Sequence, residues 1–164
     1  MAQREIQKGE NNPRLRKKSK PVEVIDDRIK ELVEDMKETL ASEEGVGLAA
    51  PQVGVLKRVI IVDDGSGVFE IINPVITNPQ GSQIGLEGCL SLLPKSGYVD
   101  RPKTLTVTGM NLAGEAIQID AEDFLARIIC HETDHLEGIL FTDKVIPEDE
   151  LEEIPDEDEE TPEI

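Results

Sequence analysis

The chain has 164 residues, which is the size of one domain. Its formal net charge is -18 at pH 7, but eleven acidic residues and no basic one between positions 147 and 164 account for -11 of that value. No run of eighteen apolar residues is present, which excludes a membrane-spanning helix, and the polar first ten residues exclude a secretory signal.

The first 23 residues are predicted to form an extended arm, because Pro13 and Pro21 exclude a long helix. Seven Lys or Arg fall between positions 4 and 20. We interpret them as a solvated basic surface, with contact to nucleic acid as the alternative interpretation.

An amphipathic helix is predicted over residues 24–42, where apolar residues recur at helical spacing. The negative charges of Asp26 and Asp27 suit its first turn, and Gly45 is expected to end the pattern. The apolar stripe comprises Ile25, Ile29, Leu32, Val33, Met36 and Leu40. This helix is expected to serve packing.

Short strands are predicted after this helix. A run of Val and Ile predicts a buried strand over residues 58–63, and two shorter strands, 68–73 and 75–77, flank Pro74. Residues 104–108 alternate Thr with apolar side chains, which is typical of a sheet with one wet face. We expect them to pair as a hairpin with residues 116–119 across a glycine turn.

A second helix is predicted over residues 121–137, with Asp120 as its N-cap and Gly138 just beyond its end. One stripe of this helix is expected to face inward, and it comprises Phe124, Ile128, His131 and His135. Beyond residue 146 the chain is acidic and has few apolar residues to bury, so residues 147–164 are expected to be a disordered tail.

The segment from His131 to His135 predicts a metal site. These are the only two histidines in the chain, and residues four apart lie on the same face of a helix. The alternative is a chance pair without a metal, but an unpartnered polar group on an inward stripe costs roughly 1–3 kcal/mol. A metal ion lowers the pKa of its water to about 7, and Glu132 is placed to act as general base and then as general acid.

A catalytic metal normally takes three protein ligands and keeps one position open. No third histidine exists, so Cys89 is the candidate, because a thiolate suits borderline and soft metals. It follows a turn-forming stretch at 81–85, and taken alone it is better explained as a small buried hydrophobe. Cys130 is expected to serve packing, since adjacent helical side chains such as His131 point about 100° away.

Small residues dominate positions 45–52, which allows a substrate backbone to approach closely. Gln52 ends this stretch and offers an amide N–H to a developing oxyanion. A phosphate-binding loop is excluded because no Gly-Lys-Ser or Gly-Lys-Thr follows.

Taken in order, these stretches resemble the three signature motifs of the peptide deformylase family. They read Gly45-Val46-Gly47-Leu48-Ala49-Ala50-Pro51-Gln52, then Glu87-Gly88-Cys89-Leu90-Ser91, then His131-Glu132-Thr133-Asp134-His135. The similarity covers roughly residues 5 to 146. It implies a catalytic domain over residues 1–146 that removes the formyl group from the N-terminal formylmethionine of nascent polypeptides.

The resemblance also implies the roles of single residues. One divalent ion, usually Fe²⁺ with Zn²⁺, Ni²⁺ or Co²⁺ as alternatives, would be held by Cys89, His131 and His135. Glu132 would be the acid and base, and Gln52 with the backbone N–H of Leu90 would stabilise the oxyanion. The backbone near Gly47 and Gly88 would pair with the peptide, and an apolar pocket would bind the methionine side chain. The residues expected to contact the substrate are Gly45, Val46, Gly47, Glu87, Gly88, Phe124 and Ile128.

The chain departs from many relatives at Leu93, where they carry Pro, and at Ser96, where they carry Arg. Its acidic tail replaces a C-terminal helix that is often basic, so we expect ribosome contact to be transient and not made by that segment. Membrane and DNA are not expected as partners. The expected location is the cytoplasm, or the organelle compartment in which translation starts with formylmethionine.

The fold class implied is α+β, in which short antiparallel sheets surround a central metal-binding helix and the N-terminal helix packs outside. Two other functions stay open. A metalloprotease would use the same helix with a His or Glu as third ligand in place of Cys89. A non-catalytic relative would bind nascent chains or a metal only, but it would need neither Glu132 nor Gln52.

Overall fold

The structure is a computed structural model and describes residues 2–151 and residue 164. Within these residues the chain forms three α-helices and seven strands. The helices are α1 (Pro13–Arg16), α2 (Asp27–Glu43) and α3 (Asp123–Leu136). The strands are β1 (Gly47–Ala49), β2 (Val59–Asp63), β3 (Val68–Gln80), β4 (Gln83–Gly88), β5 (Ser96–Arg101), β6 (Thr104–Met110) and β7 (Ala116–Glu122).

The strands form two separate antiparallel sheets. The larger sheet has the order β1-β2-β3-β6-β7, so β1 is one of its edges. The smaller sheet is the β4–β5 hairpin alone, with Gly88 opposite Ser96 at its closed end. The α+β class with antiparallel sheets is confirmed.

The two helices longer than one turn cover opposite faces of the large sheet. Successive strand residues point to opposite faces, so Ile61 packs with the stripe of α2 while Ile60 packs with α3. Each fully buried side chain of this size contributes roughly 1.5–3 kcal/mol relative to exposure. A third, smaller cluster, with Cys89 and Phe141 among its members, lies under the β4–β5 hairpin.

The predicted apolar stripe of α2 is confirmed. Five of its six residues are buried on the helix, and the sixth, Ile25, precedes the helix and is partly buried. Asp26 is its N-cap and accepts a hydrogen bond from the Ile29 N–H at 3.0 Å. The residue that ends it in the left-handed region is Glu44, with φ 56°, and not Gly45.

The start of α3 differs from the prediction. Strand β7 continues to Glu122 and passes directly into α3 at Asp123 without a loop, so Asp120 lies within the strand and cannot cap the helix. No side chain caps this end, and Asp123 has a φ of 55°. At the other end, Gly138 has a φ of 74°, as expected for the residue just beyond a helix.

Two strand predictions were wrong in detail. The strands expected on either side of Pro74 are one strand, β3, with a register shift between Ile72 and Val75. Asn73 makes this irregularity possible, because its backbone has a φ of 55° and its side chain bonds to both backbone groups of Val22. The turn expected over residues 81–85 is shorter than predicted, because β4 already begins at Gln83. Strand β5 was not predicted.

The expected disordered tail lies mostly outside the described residues. In the part that is described, Glu148–Glu150 form a 3-10 turn and the Ile164 side chain is buried in the cluster beneath α3. The basic N-terminal arm is extended apart from α1, as predicted. None of the helices described is both long and apolar enough to cross a membrane.

Candidate metal centre

Three buried donor side chains converge between the β4–β5 hairpin and α3. Cys89 follows the end of β4, while His131 and His135 lie one turn apart on α3. Their donor atoms all lie within 4.8 Å of one another, and Cys89 Sγ is 3.5 Å from His135 Nε2. The structure therefore brings the three predicted ligands together on one point.

Glu87 fixes the orientation of the first histidine. Its Oε1 lies 2.9 Å from His131 Nδ1, so the ring donates its Nδ1–H to the carboxylate and leaves the lone pair of Nε2 free to bind a metal. The Nε2 atom is buried and has no hydrogen-bond partner in the described part of the chain. A carboxylate behind a ligating histidine is a common means of fixing ring and tautomer.

Two arginines hold this carboxylate in place. Arg101 binds it in a bidentate manner, with Nε and Nη2 each 2.9 Å from a carboxylate oxygen, and Arg127 Nη1 lies 2.5 Å from Oε2. Burial alone would raise the pKa of Glu87, but the hydrogen bonds from Arg101 and His131 outweigh it and hold the pKa well below its usual range. The group is therefore ionised at neutral pH.

The substrate contact predicted for the Glu87 side chain is corrected by this arrangement. The side chain is fully buried, and each carboxylate oxygen already accepts two hydrogen bonds from protein groups. No acceptor capacity is left for a peptide. Glu87 supports a ligand instead of touching the substrate.

Glu132 presents a carboxyl group with no protein partner in the part of the chain that the structure describes. Both of its oxygens are buried, and neither has a hydrogen bond within residues 2–151. Burial, followed by the charge of Glu87, raises the pKa of Glu132 well above its ordinary value. A buried carboxyl without a partner is costly to keep, which is typical of a group whose partner is a ligand or substrate.

Gly47 leaves the space in which this carboxyl lies. A Cβ atom at Gly47 would stand 2.5 Å from Glu132 Oε2 and 2.8 Å from Ile128 Cγ2. Since β1 is a sheet edge, a peptide can add to its backbone beside this carboxyl. The glycine is thus required by close approach and not by its φ angle.

Replacing Gly47 with alanine is expected to displace the Glu132 carboxyl, because the new methyl group takes its space. A displacement of about 1 Å at a reacting group lowers kcat on the order of 100-fold. Steady-state kinetics measure this effect. The matched control is Gly109→Ala, whose Cβ would meet Ile71 Cγ2 at 2.6 Å away from the metal centre. That control is expected to lower stability and keep kcat, and equal kcat losses in both variants would contradict the prediction.

The Gln52 amide is fixed at both ends. Its Oε1 accepts the Ala49 N–H at 3.0 Å, and its Nε2 donates to Ser91 Oγ at 3.0 Å and lies 3.6 Å from Cys89 Sγ. Both hydrogens of this amide nitrogen therefore have protein acceptors, and the longer bond to the weakly accepting sulfur is the one that an oxyanion would replace. The backbone N–H of Leu90, the residue after Cys89, has no acceptor in the described ranges.

The predicted apolar pocket is only partly assembled. Val46 and Ile128 belong to the same apolar cluster. Gly88 directly precedes Cys89 and is buried, while Gly45 is half-buried and bonds to the end of α2. Phe124, by contrast, is 43 % exposed, so the expectation that the whole stripe faces inward was wrong at this residue. It lies in the first turn of α3, at the surface.

A metal ion fits these donors. Burial, followed by Glu132, raises the pKa of Cys89 to about 12, and burial lowers the pKa of His135 well below its ordinary value, so without an ion both groups are neutral. A cation would favour the thiolate and use the partnerless Nε2 of His131. Thiolate with two imidazoles is a donor set for Fe²⁺, Zn²⁺, Co²⁺ or Ni²⁺ and not for Mg²⁺ or Ca²⁺.

Three supporting residues were missed in the sequence: Ser91, Arg101 and Arg127. Ser91 stands inside the second motif, and Arg127 precedes His131 by one helical turn, so both positions carried a spacing signal. Nothing local signals their partners: the bond of Ser91 to Gln52 spans 39 residues, that of Arg127 to Glu87 spans 40, and those of Arg101 to Glu87 span 14.

Comparisons with known proteins agree on one family. A family model for polypeptide deformylase matches residues 4–150. The peptide deformylase of Alkaliphilus metalliredigens is 55% identical over 139 residues, which cover 85% of this chain and 95% of that protein. The peptide deformylase of Finegoldia magna is 49% identical over 162 residues, which cover 96% and 99%. The crystal structure of peptide deformylase from Thermotoga maritima matches with a TM-score of 0.85 and 38% identity, over 88% of this chain and 99% of that one.

Proposed function

We propose that this protein removes the formyl group from the N-terminal methionine of nascent polypeptides, and that it does so at the cluster of Cys89, His131 and His135. The chain belongs to the polypeptide deformylase family. The family is metal-dependent. The observation that carries the assignment is the convergence of these three donors beside the partnerless carboxyl of Glu132.

Cys89, His131 and His135 would hold the ion. When bound, a divalent ion of this kind polarises a carbonyl oxygen and lowers the pKa of a water molecule. We propose Fe²⁺ as the native ion, with Zn²⁺, Ni²⁺ and Co²⁺ as alternatives, and elemental analysis of anaerobically purified protein decides among them. Three of the protein's own groups, the Glu132 carboxyl, the Gln52 amide and the backbone N–H of Leu90, then act on the formyl group.

Glu132 moves the proton. It accepts a proton from the attacking water as the water oxygen bonds to the formyl carbon. It returns that proton to the peptide nitrogen as the carbon–nitrogen bond breaks, which releases formate and a free amino terminus. Its raised pKa suits both steps, because burial makes the carboxyl a stronger proton acceptor than in water.

Gln52 and Leu90 stabilise the negative charge that develops on the formyl oxygen. The Gln52 N–H that points to Cys89 Sγ and the backbone N–H of Leu90 would be the two donors, and such donors are effective because they need no reorganisation during the reaction. Ser91 keeps the amide of Gln52 in this orientation.

The peptide would lie along the edge strand β1, with backbone pairing at Gly45 and Gly47 on one side and Gly88 on the other. Val46 and Ile128 would line the pocket for the methionine side chain, with the exposed Phe124 at the surface end of the helix that carries Ile128. Small and apolar groups suit a flexible thioether.

The natural partners would be formylated nascent chains, met at or near the ribosome in the cytoplasm or an equivalent organelle compartment. Contact with the ribosome would be transient. The acidic segment 147–164 repels RNA phosphate, so it would not dock there, and the catalytic domain is proposed to end near residue 146.

Formate release from formyl-Met-Ala-Ser, measured anaerobically with Fe²⁺-loaded protein, tests the assignment. Release of formate with all peptide bonds intact is expected. Peptide-bond cleavage would support a metalloprotease, and fully metallated protein that releases no formate would leave only a binding function.

Replacing Cys89 with serine is expected to remove both metal binding and formate release, because a neutral hydroxyl is a poor ligand for these ions. Metal content after dialysis and the formate assay measure the two effects. Cys130→Ser is the matched control, since Cys130 is also a buried free thiol and lies on α3, in the apolar cluster beside the ligands. A Cys89→Ser protein that keeps its metal would indicate a different third ligand.

A further inference from the structure

Arg127 connects the two segments that carry the predicted ligands. It lies on α3 one turn before His131 and is only 4 % exposed. All of its hydrogen bonds go to the β4–β5 hairpin: Nη2 lies 2.9 Å from the Gln83 carbonyl, and Nη1 lies 3.1 Å from the Val99 carbonyl and 2.5 Å from Glu87 Oε2.

These bonds matter because no strand pairing connects the β4–β5 hairpin to the larger sheet on which α3 packs. The β4–β5 hairpin forms its own two-stranded sheet, and Cys89 directly follows β4. The distance from Cys89 to the histidines therefore depends on side chains that cross the gap. Arg127 crosses it with a rigid planar group, which fixes spacing better than a flexible ammonium.

Gly85 provides the space for this guanidinium. A Cβ atom at Gly85 would lie 2.7 Å from Arg127 Nη2 and 3.0 Å from its Cζ. The absent side chain allows the arginine to approach the strand backbone, and Nη1 stands 3.5 Å from the Gly85 carbonyl. A glycine in the middle of a strand, which costs stability, is thus explained by the arginine opposite.

We propose that Arg127 is a positioning residue that sets the separation between Cys89 and the two histidines by binding the β4–β5 hairpin to α3. It acts through Glu87 and through strand carbonyls, and it touches neither substrate nor ion. This inference rests on the proposed metal centre and adds a determinant of its geometry.

Measurements of Co²⁺ binding distinguish a role of Arg127 in positioning the ligands from a role in stabilising the fold alone. The variants are Arg127→Met and Arg127→Lys, and the control is Arg58→Met. Arg58 binds the other end of α3, at the Leu136 carbonyl and Glu137, and makes no bond to the hairpin. For each protein, Co²⁺ affinity is measured by competition with a chelator, and the thiolate-to-cobalt absorption band and the melting temperature of the metal-free form are recorded.

Arg127→Met is expected to weaken Co²⁺ binding about 10- to 100-fold, as loss of a group that supports a metal ligand typically does, and to shift the thiolate band. The lysine variant keeps the charge without the planar fork and is expected to show the same band shift with a smaller loss of affinity. Arg58→Met is expected to lower the melting temperature and to keep Co²⁺ affinity and spectrum.

Arg127 variants that melt lower but bind Co²⁺ with the wild-type affinity and spectrum would overturn the inference. If Arg127→Met does not fold, the lysine variant decides by the same spectrum. Failure of the wild-type protein to develop a thiolate band with Co²⁺ would overturn the proposed metal centre itself, which is a different result.

Discussion

Replacing Glu132 with alanine is expected to lower kcat about 100- to 10,000-fold, the usual contribution of a positioned acid and base. The ion is expected to stay, since Cys89 and both histidines remain. Metal content and formate release measure the two quantities on one sample. The physical reason is that no other described carboxyl lies in the space opened by Gly47 beside the donor cluster.

The same variant separates function from stability. Because the Glu132 carboxyl is buried without a partner, its removal is not expected to lower the melting temperature of the metal-free protein. Glu132→Gln keeps the volume and is expected to be equally inactive, which excludes a cavity effect. Glu122→Gln, at an exposed position before α3, serves as the control with normal turnover. Rapid turnover in metallated Glu132→Ala would contradict the role.

Replacing Glu87 with alanine is expected to cost about 3–5 kcal/mol of unfolding free energy, because it leaves Arg101 and Arg127 buried without their counter-charge. It also removes the acceptor of the His131 Nδ1–H, so metal affinity is expected to fall about 10- to 100-fold. Urea denaturation of the metal-free protein and chelator competition measure the two effects.

The exposed pair of Arg16 and Asp143 gives the comparison. Asp143→Ala removes a similar short ion pair at the surface and is expected to cost less than about 1 kcal/mol. Equal losses in the two variants would show that burial does not set the cost at Glu87.

The difference between wild type and Glu87→Ala depends on pH. The pKa of Glu87 is held below its usual range by Arg101 and His131 against the effect of burial, so the carboxylate stabilises the folded state above the unfolded pKa of about 4.3. This contribution is lost as the pH falls below that value towards the folded pKa. The two stability curves are expected to converge in acid, and a constant difference would contradict this account.

The helices could be predicted because their signal is local. The apolar stripe of α2 and the pair of histidines on α3 depend on spacing within one segment, and the structure places both as expected, apart from Phe124. Cys89 was identified as the third ligand by its chemistry and by the lack of a third histidine, and then by the family resemblance, since no spacing rule joins it to a helix more than forty residues later in the chain.

Features that depend on distant partners could not be predicted. Gly85 looks like a turn residue until Arg127 is seen opposite it. Glu87 was expected to contact the substrate, and its role behind His131 is visible only once Arg101 and His131 are seen to enclose it. The irregularity in β3 depends on Asn73 bonding to Val22, fifty-one residues earlier.

The direct passage from β7 into α3 has a consequence for sequence length. An α-helix turns about 100° per residue, so one residue inserted between Glu122 and Asp123 would rotate the imidazoles of His131 and His135 away from Cys89. An insertion in the glycine turn between β6 and β7 would not change the rotation of α3 relative to β7. Length variation among functional homologues should therefore be absent at the first junction and tolerated at the second.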